Sequence, residues 1–198
     1  LLFTVFVFFF SHLESKTFRS LMVTLCALLI FLLSHISVHN QTLHLNQLVI
    51  YADRKHTHVN LISGHHQRIL TTDSSMTSMP ASNYWMSRKL KNPEYERLHA
   101  SCLYTFQGKK ILILTDSLLH RKTTRTPIKT DFLIIGNGLK PCAKELLCCV
   151  LPRICIADQS IPAWCVDQLR QICQEKRICF YAVATRGAFI YDFKQISP

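Results

Sequence analysis

Two histidines, His56 and His58, stand two residues apart in the segment His56-Thr-His58-Val-Asn60, and the pair His65-His66 comes shortly after. Residues two apart on a strand share a face, so His56 and His58 have the spacing of two metal ligands. No Asp, Glu or Cys at a typical ligand spacing completes a tetrahedral set around them. The expectation is therefore strand histidines, no metal and no other cofactor. The nine cysteines (26, 102, 142, 148, 149, 155, 165, 173 and 179) contain no Cys-x-x-Cys pair, which argues against a zinc ribbon or a thioredoxin-type site. Most read as small core residues. Cys165 and Cys173 lie roughly 12 Å apart along one expected helix, too far for a disulfide between them. A bridge elsewhere stays open if the compartment is oxidising, and the odd count leaves at least one thiol unpaired.

Signatures of nucleophilic catalysis and phosphate binding are missing. The sequence has no Gly-x-Ser-x-Gly and no glycine-rich phosphate loop, and Gly136-Asn-Gly138 is too short a match to use. Thr115-Asp116-Ser117, at a strand end, has catalytic residue types but no histidine that the sequence can place beside it, so it reads as a turn. No catalytic residue is assigned.

Charge is the stronger signal. The chain has 198 residues and a formal net charge of +11, of which residues 41–198 carry +10. Residues 86–130 account for +7, through Arg88, Lys89, Lys91, Arg97, Lys109, Lys110, Arg121, Lys122, Arg125 and Lys129 against Glu94, Glu96 and Asp116. Such a surface attracts a phosphodiester backbone or anionic lipid headgroups, with Tyr84, Trp85 and Tyr95 nearby as base-stacking platforms. The competing reading is a solvated, solubilising face. The candidate DNA-binding residues are Arg88, Lys89, Lys91, Lys109, Lys110, Arg121, Lys122, Arg125 and Lys129.

The elements that must position these residues divide the chain in two, membrane segments over 1–38 and a soluble domain over 39–198. Residues 20–38 hold no Asp, Glu, Lys or Arg, and as a helix they would cover nearly all of a hydrocarbon core of about 30 Å. A transmembrane helix is expected there, and the apolar run Leu1–Phe10 reads as the tail of a preceding span in a chain cut from a longer membrane protein. Lys16 and Arg19 place the loop Ser11–Ser20 in the cytoplasm and the domain outside it.

In the soluble part, strands are expected at Leu48–Tyr51, His58–Ser63 and Arg68–Thr72 as an antiparallel meander, then a loop over Ser74–Asn83 and a helix over Tyr84–His99. Cys102–Phe106 and Lys110–Thr115 flank Gln107-Gly108-Lys109 as a hairpin. Then the rhythm changes to strand Phe132–Ile135, helix Pro141–Cys149, strand Ile154–Ala157, helix Pro162–Glu175 and strand Cys179–Val183, a parallel βαβαβ unit. Ala184–Gly187 is expected to turn the chain into a hairpin with a last strand, Ala188–Phe193. The class is α+β or α/β.

The order of pieces resembles the ComEC-type competence proteins. The resemblance lies in the segment from Gln47 to Asp73, the hairpin LYTFQGKKILILTD, then TDFLIIGNGLKPCAKELL, VLPRICIADQS and WCVDQLRQICQEKRICFYAVATRGAFIYDF. It implies a transmembrane helix leading into a degenerate metallo-β-lactamase-like domain. In that family a His-x-His-x-Asp-His loop comes after a strand; the matching strand here ends at Ile135, and Gly136-Asn-Gly-Leu-Lys140 offers none of those ligands. His56-x-His58 matches half the motif by letter but sits in the first meander, with Asn60-Leu61 in place of Asp-His. The resemblance therefore implies a non-catalytic, extracytoplasmic part of a DNA-uptake channel in a bacterial inner membrane. It would guide single-stranded DNA, and its partners would be the lipid bilayer, an N-terminal membrane domain and other competence proteins. The alternatives are a metal-dependent nuclease and a purely structural tethered domain.

Overall fold

The computed structural model describes residues 18–43, 46–73, 85, 90, 93–117, 119, 122, 124, 126–137, 139, 140 and 142–193. The chain forms two compact units, Leu1–His44 and Leu45–Pro198.

The first unit contains helix α1 (Phe18–Leu43). Met22, Val23, Leu25, Leu28, Leu29, Ile30, Leu32 and Leu33 are exposed along it. The backbone of the expected span, 20–38, is thus helical. Side chains are described without a break only over Leu25–Ser34, which is about 15 Å of helix, half a hydrocarbon core. Among the described residues no helix is long and apolar enough to cross a membrane, so the spanning helix is not shown. The expected tail at Leu1–Phe10 lies outside the described residues.

The second unit is a sandwich of two mixed five-stranded sheets. The first has the order β10-β1-β2-β3-β4 and the second β5-β6-β7-β8-β9. Strands β1 (Asn46–Ile50), β2 (His58–Ser63) and β3 (His66–Thr71) form the expected antiparallel meander, closed at Gly64 with φ 60°. β5 (Cys102–Phe106) and β6 (Lys109–Leu114) form the expected hairpin. Its turn residues, Gln107 and Gly108, both have positive φ, the mirror-image turn that matches strand twist.

From β6 the second sheet runs parallel through β7 (Ile128–Ile135), β8 (Val150–Ala157) and β9 (Cys179–Ala182), with α2 (Ala143–Cys149) and α3 (Ala163–Glu175) as crossovers. Phe132 and Ile134 point into the core between the sheets, with Leu48, Ile50, Leu70 and Ile113. Leu133 and Ile135 point to the other face, under Leu146, Leu147, Cys165 and Leu169 of the helices. Burial on both faces explains why this strand reads as an unbroken apolar run.

Two expectations are corrected. Within the helix expected over Tyr84–His99, Glu94–Arg97 instead form strand β4, which pairs in parallel with β3 at the sheet edge, and residues 84, 86–89, 91 and 92 lie outside the described residues. Proline disfavours helix continuation, and Arg68 then reaches Glu94 and Glu96 across the pair at 3.6 and 3.9 Å. The other correction concerns the last hairpin. Val183–Arg186 is a short helix, α4, and Gly187 (φ 80°) sends the chain into β10 (Phe189–Asp192), which joins the other sheet beside β1. Aromatic packing holds it there: Phe189 and Tyr191 meet Phe132 edge-on across the inter-sheet core, with centroids at 6.5 and 4.9 Å. The loop expected at Ser74–Asn83 lies outside the described residues.

Candidate functional site

In a sheet with parallel strands, ligands gather beyond the carboxyl ends of those strands. Here β6, β7 and β8 are followed by Thr115, Gly136 and Asp158, and Thr57, at the end of the segment between β1 and β2, reaches across to them. Gly136 N–H donates to Leu114 O at 3.0 Å and Asp158 N–H to Ile135 O at 3.0 Å, continuing the ladder past the strand ends. Thr57 Oγ1 donates to Asp158 Oδ2 at 2.5 Å and accepts the Asn137 N–H at 2.7 Å. Ser160 gives Asp158 Oδ1 both its N–H, at 2.6 Å, and its hydroxyl, at 2.5 Å.

Asp158 is thus a buried carboxylate with both oxygens engaged. Burial pushes its carboxyl above the usual value of 3.8, and the Ser160 and Thr57 hydrogen bonds and the neighbouring His58 offset part of that. Gly136 is required by space: a Cβ there would stand 2.0 Å from Thr57 Oγ1 and 2.9 Å from Asp158 Oδ2. The arrangement is a closed latch between the two sheets.

His58 lies beside it, buried, with Nε2 3.1 Å from Asp53 Oδ2 and Nδ1 2.8 Å from Thr71 Oγ1. Burial raises the Asp53 carboxyl, but the Lys55 N–H, the His58 hydrogen bond and charge, and the His56 N–H outweigh it and hold it below 3.8. The order Asp53, His58, Thr71 is that of an acyl-transfer triad. Thr71 is fully buried and its Oγ1 also accepts the Asp73 N–H at 3.0 Å, so no substrate reaches it. Sequence could not reveal this grouping, because Thr71 meets His58 only through the β2–β3 pairing.

His56 stands 4.0 Å from Asp73. His65 and His66 lie at the opposite end of the β2–β3 hairpin, since His58 pairs with Thr71 and Ser63 with His66; five residues of strand separate the two ends by about 17 Å. Among the described residues no group of three or more His, Cys, Asp or Glu could hold a metal ion. The residues past β7 do not fit a metallo-hydrolase ligand loop, because Gly136 and Asn137 are occupied in the latch.

Asp116 is a loop lock: its carboxylate accepts the Ser101 hydroxyl at 2.6 Å and the Ser101 N–H at 3.1 Å, and Ser101 Oγ in turn accepts the Thr115 N–H. A pocket of about 50 Å³ opens nearby, lined by Leu114, Asp116, Ile135, Lys140 and Leu146. It has room for one or two waters but not for a nucleotide.

Of the nine candidate DNA-binding residues, Arg88, Lys89, Lys91, Arg121 and Arg125 lie outside the described residues. Lys110, Lys122 and Lys129 are exposed, and Lys109 Nζ approaches Asp131 at 3.4 Å. Trp85 donates its Nε1–H to Tyr51 OH at 2.9 Å and packs against Val49, Tyr51 and Ile62 on the outer face of the first sheet. Tyr95 is on β4, and Tyr84 is outside the described residues. A groove of about 540 Å³ between α3 and β9 does combine cations with a ring, Arg170 lying 6.0 Å over Phe180 with Arg186 nearby.

The second unit is thus a two-sheet sandwich with crossover helices on one sheet and an inter-sheet latch at the strand ends. The family model of the ComEC C-terminal domain matches residues 48–193, and the chain belongs to that family. It is thereby a member of a membrane-associated competence family, involved in DNA uptake. No curated protein and no solved structure matches it, so the likeness to a metallo-β-lactamase rests on the sequence resemblance alone.

Proposed function

We propose that this domain is a non-catalytic, extracytoplasmic part of a DNA-uptake channel, tethered to the bilayer through α1, and that it guides single-stranded DNA by charge. The observation that carries the non-catalytic reading is steric. A hydrolase of the resembled type needs ligand side chains just past β7, and at Gly136 even a methyl group would collide with Thr57 and Asp158. The apolar, outward-facing side chains of α1 support the tether, and Lys16 and Arg19 support the orientation.

Single-stranded DNA contacts fall on the basic stretch from Arg88 to Lys129, that is Arg88, Lys89, Lys91, Lys109, Lys110, Arg121, Lys122, Arg125 and Lys129. Three to five phosphate contacts give a log-log salt slope of roughly 2 to 3.5, at about 0.7 per contact. Fluorescence anisotropy of a labelled oligonucleotide across a salt series tests this. Changing Arg121, Lys122 and Arg125 to Ser lowers both affinity and slope, whereas Arg170→Ser with Arg186→Ser lowers them less. Equal losses would mean that net charge alone acts and would remove the guiding face.

A further inference from the structure

The starts of the parallel strands in the second sheet carry a row of side chains in register. Ile111 pairs with Phe132 and Phe132 with Ile154, so Lys110, Asp131 and Arg153, each one residue earlier, lie side by side on β6, β7 and β8. Strand alternation puts them on the face of Leu112, Leu133 and Cys155, the face that the helices cover farther along. Nearer the strand starts, Lys129 pairs with Leu151 on that same face. Lys110, Lys129 and Arg153 are exposed, and so are Leu151 (42%) and Ile128 (47%).

Asp131 is the carboxylate in this row. It accepts the Lys110 N–H at 3.0 Å and lies 3.4 Å from Lys109 and 3.7 Å from Arg153. Burial raises its carboxyl, yet those hydrogen bonds and charges hold it below 3.8, so it is an anion set between Lys109 and Arg153. The chain also arrives in the domain at this end. Asn46, the first residue of β1, accepts through Oδ1 a hydrogen bond of 2.9 Å from Gln107 Nε2, on the turn that leads into Lys109 and Lys110. Only residues 44 and 45 separate Asn46 from the end of α1 in sequence.

From this we infer that the Lys110–Lys129–Arg153 end of the domain docks on an anionic lipid surface, the cations meeting headgroup phosphates while Leu151, on their face, enters the acyl boundary. Cations interleaved with exposed aliphatic side chains suit a bilayer interface, whereas a nucleic-acid strand favours a flat ring among the cations, and the row itself holds none. Each Lys or Arg near such a surface strengthens attachment by roughly fivefold at ordinary ionic strength. The inference goes beyond the uptake reading, and the charge variant that tests it leaves Arg121, Lys122 and Arg125 unchanged.

Hydrogen exchange on the full chain in lipid nanodiscs tests it, comparing phosphatidylcholine alone with a phosphatidylcholine–phosphatidylglycerol mixture. Amides over Gln107–Lys110 and Ile128–Asp131 exchange severalfold more slowly in the anionic discs. That protection disappears in high salt and in the variant Lys110→Glu, Lys129→Glu, Arg153→Glu, while exchange of Leu133–Ile135 stays unchanged and reports an intact fold. Leu151→Ser with all charges kept weakens the protection. Identical exchange of the wild-type chain in the two discs overturns the inference. So does protection of these amides by a single-stranded oligonucleotide in neutral discs with none from phosphatidylglycerol, which would make nucleic acid the occupant. The Arg121, Lys122, Arg125 variant keeps the lipid response, so failure of the DNA reading leaves this result distinct.

Discussion

Thr57 and Asp158 are 101 residues apart in the chain and meet side chain to side chain at 2.5 Å. Thr57 also accepts the Asn137 N–H, so one hydroxyl joins the β1–β2 segment to the ends of β7 and β8.

Thr57→Val removes the donor to a buried carboxylate and the acceptor of a backbone N–H together. A loss of about 2–4 kcal/mol is expected, read as a lower denaturation midpoint at unchanged slope. Thr57→Ser keeps the hydroxyl and loses about 1 kcal/mol, the scale of one buried methyl group. Gly136→Ala collides with the same hydroxyl and costs about 1–3 kcal/mol or more. A Thr57→Val protein as stable as the wild type would show that the latch does not couple the sheets.

Two carboxyls give stability opposite slopes with pH. Asp158 is held above 3.8, so it binds its proton more tightly in the folded state; its contribution is fullest below 3.8 and falls as pH rises through the folded value. Asp53 is held below 3.8, so its contribution is full above that pH and is lost as pH falls through the lower folded value. Denaturation of the wild type against Asp158→Asn and Asp53→Asn from acid to neutral pH checks the signs. Differences that run the same way in both variants would refute the assignment.

Thiol labelling reads both burial and topology. In the second unit Cys142, Cys148 and Cys179 are exposed, whereas Cys149, Cys155, Cys165 and Cys173 are buried. The hydrogen bond with Cys173, together with burial, pushes the Cys155 thiol well above its usual value, and burial with the charges of Glu96 and Asp116 pushes Cys102 up to about 11. In folded protein a maleimide should label the three exposed thiols quickly and the buried four only after denaturant is added. In intact cells a membrane-impermeant maleimide should label the same three; labelling by a permeant reagent alone would reverse the proposed orientation.

Metal content separates the two functional readings. Purified, tag-free protein should hold far less than one equivalent of zinc or manganese and should leave DNA uncut when either metal is added. One tightly held ion per chain would return attention to His56, His58 and Asp73.

Leu133→Ala leaves a cavity between the second sheet and the helices, where Leu133 is fully buried. A loss of about 2–5 kcal/mol is expected in equilibrium unfolding. A loss below about 1 kcal/mol would mean that this core is loosely packed.

What the sequence determined by itself is local. The strands of the meander, the Gln107-Gly108 turn, the apolar run at Phe132–Ile135 and the 3.6-residue period of Cys165, Leu169 and Ile172 each arise from neighbours a few residues away, and each appears in the structure. The tertiary structure decided whatever depends on partners distant in the chain. Glu94–Arg97 is a strand because β3 offers a free edge, and β10 crosses to β1 because Phe132 provides a ring surface for Phe189 and Tyr191. The candidate site shows the same division. The absence of ligands after Ile135 is legible in the letters, but its cause, a buried Asp158 held by a threonine from the other sheet, appears only when the sheets pack and a carboxylate removed from water must find its donors within the protein.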